Sequence, residues 1–529
     1  MKSKHWSGVL GAGLLAGLIA ALSMTLVMAL LRWTLGLPSP SELVGERLVP
    51  QLTIEQFIGF IERFGGYNQL KQVGVSSVLG GQLVFGAVAG LVYAAIVERS
   101  RARDPERTWR WGISRHGWLV VLGLITLAWI VSLVALWPVL GANFRGLPPG
   151  QARFATLLGL LVAYTTFGLT LAFTYRLLTQ HASVAQPVPV GARPIRRRTF
   201  LVGGAGVVIA LATGGIVRRL YQLATFAYDG LRYQGPDIQP ITPNDQFYSV
   251  TKNIIDPSVA QAAWRLEITG LVAQPRSYSY ADLAALPAIM QETTLMCISN
   301  AVGDGLMSNA VWKGVPLRTL LEAAGPQAGI RELLLHGADG YTDTIPLEKA
   351  MEPTTLVVYE MNGEPLPPIH GYPARVVVPG LYGEKSVKWV TRIDLIDYDA
   401  KGFYEQQGWG PNFVIPIHSR FHGPNIDNPL PVNQITTIIG TALGSNQGVS
   451  RVEVSTDDGR TWNDAQITYP GTRLTWVFWK YDWRPMQPGE YRWVVRATDG
   501  NGLLQTAEER GITPQGSTGY HKLTVRVGA

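Results

Sequence analysis

A single cysteine, Cys297, stands in the run Thr294-Leu-Met-Cys297-Ile-Ser-Asn300 of a 529-residue chain. One cysteine excludes internal disulfides, iron–sulfur sites held by cysteine alone and the paired cysteines of a typical c-type haem attachment. An isolated cysteine is most often a small buried hydrophobe; its other role is that of a soft, charged ligand to a metal. Further along lie His370-Gly-Tyr-Pro-Ala-Arg375-Val-Val-Val-Pro379 and Gly383-Glu-Lys-Ser386-Val387-Lys388-Trp389. Two basic side chains, Arg375 and Lys388, there accompany a Gly/Ser turn, a combination that suits a phosphate group. Either one alone would read as a solvated charge.

These residues sit in a part of the chain with a distinct texture. From about Pro236 the sequence becomes short alternating strands, Pro/Gly turns and a few helices, which reads as an α+β domain and then an all-β one. Near the end, 451–456 alternates apolar and polar residues, Asp457 to Arg460 make a turn, and Trp462 follows, a hairpin signature. The segments 474–479, 490–498 and 521–527 extend the pattern and suggest a β-sandwich of roughly 100 residues.

The order of motifs resembles the sulfite oxidase family. A strand bearing a Leu-x-Gly pattern (the place taken here by Trp264-Arg-Leu-Glu-Ile-Thr-Gly270), a Cys-x-x-Asn loop (Cys297 to Asn300) and a Trp-x-Gly-Val-Pro-Leu run (Trp312 to Leu317) occur there in this order, followed by the paired motifs around Arg375 and Lys388. The run Val452-Glu-Val-Ser-Thr-Asp-Asp-Gly-Arg-Thr-Trp462 resembles the family's C-terminal immunoglobulin-like domain, often a dimerisation domain. The resemblance covers roughly Pro236 to Val527. It implies a mono-pterin molybdenum cofactor with Cys297 as the protein thiolate on the metal. It further implies that His370 and Arg375 hold the pterin and its phosphate arm and that Ser386, Val387 and Lys388 contact it. Asn244-Asp245-Gln-Phe-Tyr248-Ser249 resembles a segment that reaches the pterin in bacterial relatives, which makes Asp245, Tyr248 and Ser249 cofactor contacts. Tyr341, in Asp339-Gly-Tyr341-Thr-Asp-Thr-Ile-Pro-Leu347, matches the stretch that places a tyrosine near the reacting oxygen, where it would orient substrate or donate a hydrogen bond. One departure bears on substrate. Where sulfite oxidases follow the cysteine with anion-holding arginines, this chain has Ala301, Val302 and Gly303, and Thr251, Lys252 and Asn253 stand near the place of a second basic segment. A doubly charged oxyanion would lack much of its charge-assisted binding, so sulfite is not the expected substrate.

The N-terminal part lies outside the resemblance. Residues 1–219 hold 21 Lys and Arg against 7 Asp and Glu (+14), and residues 220–529 hold 24 against 31 (−7), which together give the net +7. The basic residues fall mainly in short loops between apolar runs, so the charge does not describe a nucleic-acid surface. Five segments, 8–31, 75–97, 118–140, 154–178 and 199–217, have the length and apolarity of membrane spans. Arginines in two loops (Arg99, Arg101, Arg103, Arg107, Arg110 and Arg115; Arg193, Arg196, Arg197 and Arg198) put those loops and the N-terminus, with Lys2 and Lys4, inside, and everything after Val217 outside. Arg197-Arg198-Thr-Phe-Leu201 before a Gly/Ala-rich run resembles an internal twin-arginine export signal. His5, His116 and His181 flank the spans rather than sit within them, so a bis-histidine haem is not expected there. Residues 34–73, with Glu42, Glu46, Glu55 and Glu62 among apolar positions, are expected to form amphipathic helices at the outer surface.

The expected architecture is therefore a five-span helical membrane domain (1–219), an α+β molybdopterin-binding oxidoreductase domain (220–430) and an immunoglobulin-like sandwich (431–529). The expected function is two-electron oxygen-atom transfer on a small extracytoplasmic substrate. Electrons would be exchanged with a separate protein or a quinone, and the protein could form a homodimer. The rival reading is a membrane-tethered interaction protein that keeps the fold without the chemistry. A transporter with a regulatory ectodomain fits less well, because the spans contain almost no charged or polar pathway residues.

Overall fold

The computed structural model describes residues 2–103, 112–142, 145–147, 149–179, 197–223 and 235–528. The loop arginines Arg107, Arg110, Arg193 and Arg196 lie outside the described residues, as do the side chains of the twin-arginine motif, Arg197 to Leu201. The chain forms two compact units, one of 1–49, 63–226 and 253–255, the other of 50–62, 227–252 and 256–529.

The first unit is helical. Its helices are α1 (Lys2–Leu35), α2 (Pro40–Leu48), α4 (Tyr67–Arg103), α5 (Arg115–Leu136), α6 (Pro149–Thr179) and α7 (Arg197–Leu223), while α3 (Ile54–Arg63) falls almost wholly in the second unit. Five of them are long and apolar enough to cross a membrane, over Trp6–Leu35, Tyr67–Arg101, Arg115–Leu136, Pro149–Thr179 and Val202–Gln222. The long helices are apolar all round and the core lies where they touch. It includes Ala16, Ala20, Met24, Tyr93, Phe167 and Leu171.

The closest approach is between α1 and α4. Gly13 and Gly17 face Gly86 and Gly90, and a Cβ on Gly17 would collide with the Gly86 carbonyl as one on Gly90 would with that of Gly13. Two Gly-x-x-x-Gly stripes thus face each other, the small-residue packing that draws helices together where apolar surroundings provide no hydrophobic drive. At the end of α1 the Arg32 and Glu42 side chains pair at 3.1 Å, with 5% and 4% of their surfaces exposed. Glu42 also closes a capping box with Ser39 at the start of α2. Glu42, expected on a wet amphipathic face, is thus buried, because Arg32 neutralises it.

The second unit is built on sheets. One mixed sheet has the strand order Arg276–Tyr278, Leu266–Gly270, Val390–Ile396, Glu332–Gly337, Thr342–Pro346, with Leu266–Gly270 and Val390–Ile396 parallel. Its core packs Trp264, Leu266 and Ile393 with Leu317, Leu320 and Leu321 of the helix Leu317–Ala324. A second, antiparallel sheet runs Ile289–Met296, Met307–Pro316, Leu356–Met361, Glu364–Pro365, and Arg375–Val377 pairs with Leu356–Met361. The α3 residue Ile54 is buried in a cluster with Met296, Ile298, Trp409 and Phe413, beside the cysteine strand. This part of the 34–73 segment is therefore a packing element of the second unit.

The C-terminal region has two sheets that share one core of Trp479, Trp483, Trp493, Val454 and Val525. One runs His418–Gly423, Thr436–Leu443, Val477–Trp483, Gln466–Tyr469; the other runs Leu430–Pro431, His521–Gly528, Gly489–Asp499, Val449–Ser455, Asn463–Asp464. The strand expected at 474–479 begins at Val477. His418–Gly423 pairs with Thr436–Leu443 and so belongs to this region, although it precedes residue 431.

His418, Arg420 and His422 stand on one face of the first strand. Burial, and then Arg420, pushes His418 and also His521 down to about 4. The neutral state of His521 is fixed by geometry, since the Phe421 amide donates to its Nδ1 at 3.0 Å. A native histidine that stays neutral binds fewer protons than its unfolded counterpart. Stability is therefore lost as pH falls from about 6.5 towards 4 and levels off below that. We expect His521→Asn, whose side-chain oxygen can still accept from Phe421, to flatten this decline by at most about 3 kcal/mol. Thermal unfolding at stepped pH measures it.

Candidate active site

The strand Ile289–Met296 delivers Cys297 into a tight loop. The Cys297 amide donates to Leu306 O, the Asn300 amide donates to Cys297 O, both at 3.0 Å, and Asn300 Oδ1 accepts from Leu306 N at 2.8 Å. Asn300 therefore belts the loop from inside, which gives the Cys-x-x-Asn spacing its purpose. The sulfur lies 3.0 Å from Ser299 Oγ. Cys297 keeps some accessible surface, yet its surroundings are apolar enough that burial pushes its thiol up to about 11. The thiolate does not form here unless a cation meets it.

Around the sulfur stand Tyr248, Tyr382 and Glu384. Tyr248 is buried, and its hydroxyl occupies the space a side chain at Gly383 would need. Burial, followed by Cys297, raises its pKa well above the ordinary value. Tyr382 has its hydroxyl buried without a partner, and burial pushes its pKa well above the ordinary value, against the opposing pull of Arg510. Gly516, at φ +80°, passes directly over the Tyr382 hydroxyl, and Ser517 Oγ donates to Asn300 O at 2.7 Å. The C-terminal region thus closes one side of the cysteine loop.

Glu384 has one carboxyl oxygen buried without a partner, and its pKa is raised well above the usual carboxyl range by burial and then by Asp343. Both effects favour its protonated form. Tyr341 donates its hydroxyl to Asp343 Oδ2 at 2.7 Å and to Glu384 O at 3.2 Å. Asp343 in turn pairs with Lys385 Nζ at 2.6 Å, and Lys385 also reaches Glu405 at 2.6 Å. Tyr341 is thereby fixed in a buried acid–lysine network.

The second group of residues forms a cationic pocket. His370 Nε2 donates to Asn244 O at 2.8 Å, and burial pushes its pKa down to about 3, so the ring is neutral. Arg375 donates to His370 O at 3.2 Å and to Ser386 O at 3.0 Å, lies 5.3 Å over the Trp312 ring, and leaves its Nε buried without a partner. Burial lowers its pKa to about 10. Lys388 donates to Ile369 O at 3.1 Å and is likewise lowered by burial. Ser386 Oγ accepts from the Val378 amide at 3.1 Å, Val387 is core, and Ser249 Oγ is buried without a partner. Arg375 is a buried cation and Lys388 a half-buried one, and the hydrogen bonds of both go to carbonyls, an arrangement that calls for an anion. Tyr248 feels both Cys297 and Arg375, which joins the pocket to the sulfur.

The structure thus brings together Cys297, Tyr248, Ser249, His370, Arg375, Ser386, Val387 and Lys388. Tyr341 adjoins them through Glu384. Asp245 is exposed, and its neighbour Asn244 makes the contact to His370 through a backbone carbonyl. Sequence reasoning missed Asp343, Glu384, Lys385 and Tyr382. Glu384 and Lys385 lie inside a recognised motif and Asp343 two residues from Tyr341, but a buried carboxylate pair has no sequence signature apart from its fold.

A molybdenum cofactor fits these residues. Among the described residues no three His, Cys, Asp or Glu side chains group to hold a metal, so a metal here must bring ligands of its own, as an enedithiolate pterin does. The buried cations with carbonyl partners match a pterin phosphate, and the lone thiol supplies a single protein ligand. Fold and site together define a molybdopterin-binding oxidoreductase domain with a partner β domain.

The comparisons agree with this class. Residues 253–404 match the model of the oxidoreductase molybdopterin binding domain, and 413–527 that of the Mo-co oxidoreductase dimerisation domain. The chain belongs to the sulfite oxidase family of molybdenum-dependent oxidoreductases. It is 32% identical to mitochondrial sulfite oxidase of Mus musculus over 314 residues, 50% of this chain and 57% of that one. It is 29% identical to nitrate reductase [NAD(P)H] of Hordeum vulgare over 319 residues, 48% of this chain and 35% of that one. The sulfane dehydrogenase SoxCD from Paracoccus pantotrophus aligns at 25% identity with a TM-score of 0.49, covering 55% of this chain and 84% of that one. The chain thus spans between about a third and somewhat over half of the length of these two sequence relatives.

Proposed function

We propose that the protein is a membrane-anchored enzyme that transfers an oxygen atom, with two electrons, to or from a small extracytoplasmic substrate other than sulfite. In this reading 1–219 is the anchor, 220–430 the cofactor domain and 431–529 an immunoglobulin-like sandwich to which His418–Gly423 contributes. The observation that carries it is the pairing of a solitary, largely enclosed thiol with cations whose hydrogen bonds go to carbonyls. Cys297 is the protein ligand to molybdenum, and Tyr248, Ser249, His370, Arg375, Ser386, Val387 and Lys388 hold the pterin and its phosphate. The exposed Asp245 is retained as a contact only through its segment. When bound, the cofactor supplies the two-electron oxygen-transfer chemistry itself.

The chain's own residues then shape what enters. Tyr341 is oriented by Asp343, and Glu384, whose burial favours the protonated form, serves as a hydrogen-bond donor beside the thiol. An uncharged donor in place of arginines suits a neutral oxygen-bearing group better than a dianion. Five spans and their loop arginines favour a catalytic part outside the cytoplasm. The electrons come from or go to a separate protein or a membrane quinone, and the C-terminal region mediates a homodimer.

The test is molybdenum and pterin analysis of the full chain, with turnover screened on S-oxides, N-oxides and sulfite. Stoichiometric metal with S-oxide or N-oxide turnover is the expected result. A protein without metal, from cells whose other molybdoenzymes are loaded, would leave only a tethered scaffold, a reading that the uncharged 301–303 stretch favours.

A further inference from the structure

The first unit contains a cleft between α1, α2, α4, α7 and the segment 254–255, open on one side to its surroundings. Its walls are largely apolar, with Met28, Leu79, Val217 and Leu220 among them. Two polar features interrupt them. In the middle of a candidate span, Gln82 accepts from Thr25 Oγ1 at 2.9 Å, while its amide nitrogen points to the Met28 sulfur at 3.8 Å. A thioether is a poor acceptor, and in apolar surroundings an amide N–H gains much from a true oxygen partner. Seven residues further along α1, about 10 Å by helix rise, stands the buried Arg32–Glu42 pair.

The occupant can be read from these features. Arg32 is neutralised by Glu42, so this end of the cleft is a fixed dipole with no net charge, which does not suit an anionic lipid headgroup. Gln82 asks for a carbonyl oxygen. The walls accept a hydrocarbon. A flat head bearing carbonyl groups, carried on an apolar tail, satisfies all three. We infer that this cleft binds the ring of a membrane quinone, one carbonyl accepting from Gln82 and the isoprenoid tail lying along the apolar walls. The inference rests on the membrane and two-electron readings above and gives the quinone partner a place.

The experiment uses the full chain in detergent, titrated with decyl-ubiquinone and followed by tryptophan fluorescence, with mass spectrometry of its organic extract. Wild type is expected to bind one equivalent saturably. Gln82→Leu is expected to raise the dissociation constant about tenfold, the factor one such hydrogen bond carries. Leu220→Trp, which fills the cleft from another helix, should do at least as much. Both variants should keep the wild-type melting temperature and molybdenum content. Absence of saturable binding, equal binding by all three proteins, or displacement of the probe by dioleoyl phosphatidylglycerol with only phospholipid in the extract would each overturn the assignment. Metal without quinone binding defeats this inference alone, whereas quinone binding without metal defeats the proposed enzymatic function alone.

Discussion

Cys297→Ser is expected to lower turnover at least about a thousandfold, which is about 4 kcal/mol of barrier. The reason lies in what the site does to a sulfur. Burial holds the free thiol up at about 11, so the protein by itself gains nothing from a thiolate there. A metal that binds the sulfur must repay that desolvation, and it does so because thiolate is a strong, soft donor. A serine hydroxyl of similar size in the same pocket stays protonated and is a far weaker ligand. The loop itself should survive, since its belt is made by backbone groups of Cys297 and Leu306 and the side chain of Asn300. The variant should therefore fold, keep pterin through the Arg375 pocket and lose activity. Turnover with a chemical electron donor, metal content by mass spectrometry and the thermal transition measure the three separately. A Cys297→Ser protein with full molybdenum-dependent turnover would remove the sulfur from the chemistry.

The second large effect is expected from Arg375→Met. Arginine binds a phosphate through charge-assisted hydrogen bonds from a rigid fork, and each such bond carries about 1.5–3 kcal/mol. Loss of one or two corresponds to a fall in cofactor retention of about ten- to ten-thousandfold. The protein without cofactor should behave in the opposite sense. There Arg375 is a buried cation with carbonyl partners and one buried nitrogen left over, so methionine, which fills similar space without charge, should leave the apoprotein as stable or more so. Arg375→Lys keeps the charge and loses the fork, and is expected to fall between the two. Pterin released after oxidation, per mole of protein, measures retention, and melting of the cofactor-free protein measures the apo effect. Full retention in the methionine variant would show that this pocket holds something other than the phosphate arm.

Much of this site is legible in the amino-acid sequence because its chemistry is unusual in composition. A lone cysteine with Asn300 three residues on, and arginine and lysine spaced by glycine and serine, are local patterns, and local patterns survive in one dimension. The strands 490–498 and 521–527 are legible for the same reason: side chains alternate about the sheet with period two, and the sequence carries that period. The span expectations rest on length and apolarity alone, which any helix of that kind satisfies.

Other features depend on which distant residues meet. Glu42 reads as a surface acid and is buried because Arg32, ten residues earlier, turns back to it. Helix α3 reads as part of a membrane-side segment, yet Ile54 packs with Met296 and Trp409. Asp343, Glu384 and Lys385 converge from a strand and a loop more than forty residues apart in sequence, and only their mutual burial raises the pKa of Glu384.

By itself, then, the sequence determined the membrane-like helices, the β-rich second half and the identity of the thiol and the cations, because periodicity, apolar length and local motifs are properties of neighbouring residues. The tertiary structure decided which acids are buried, which glycines let α1 and α4 touch and where an apolar cleft remains, because burial and close approach arise only between segments far apart along the chain.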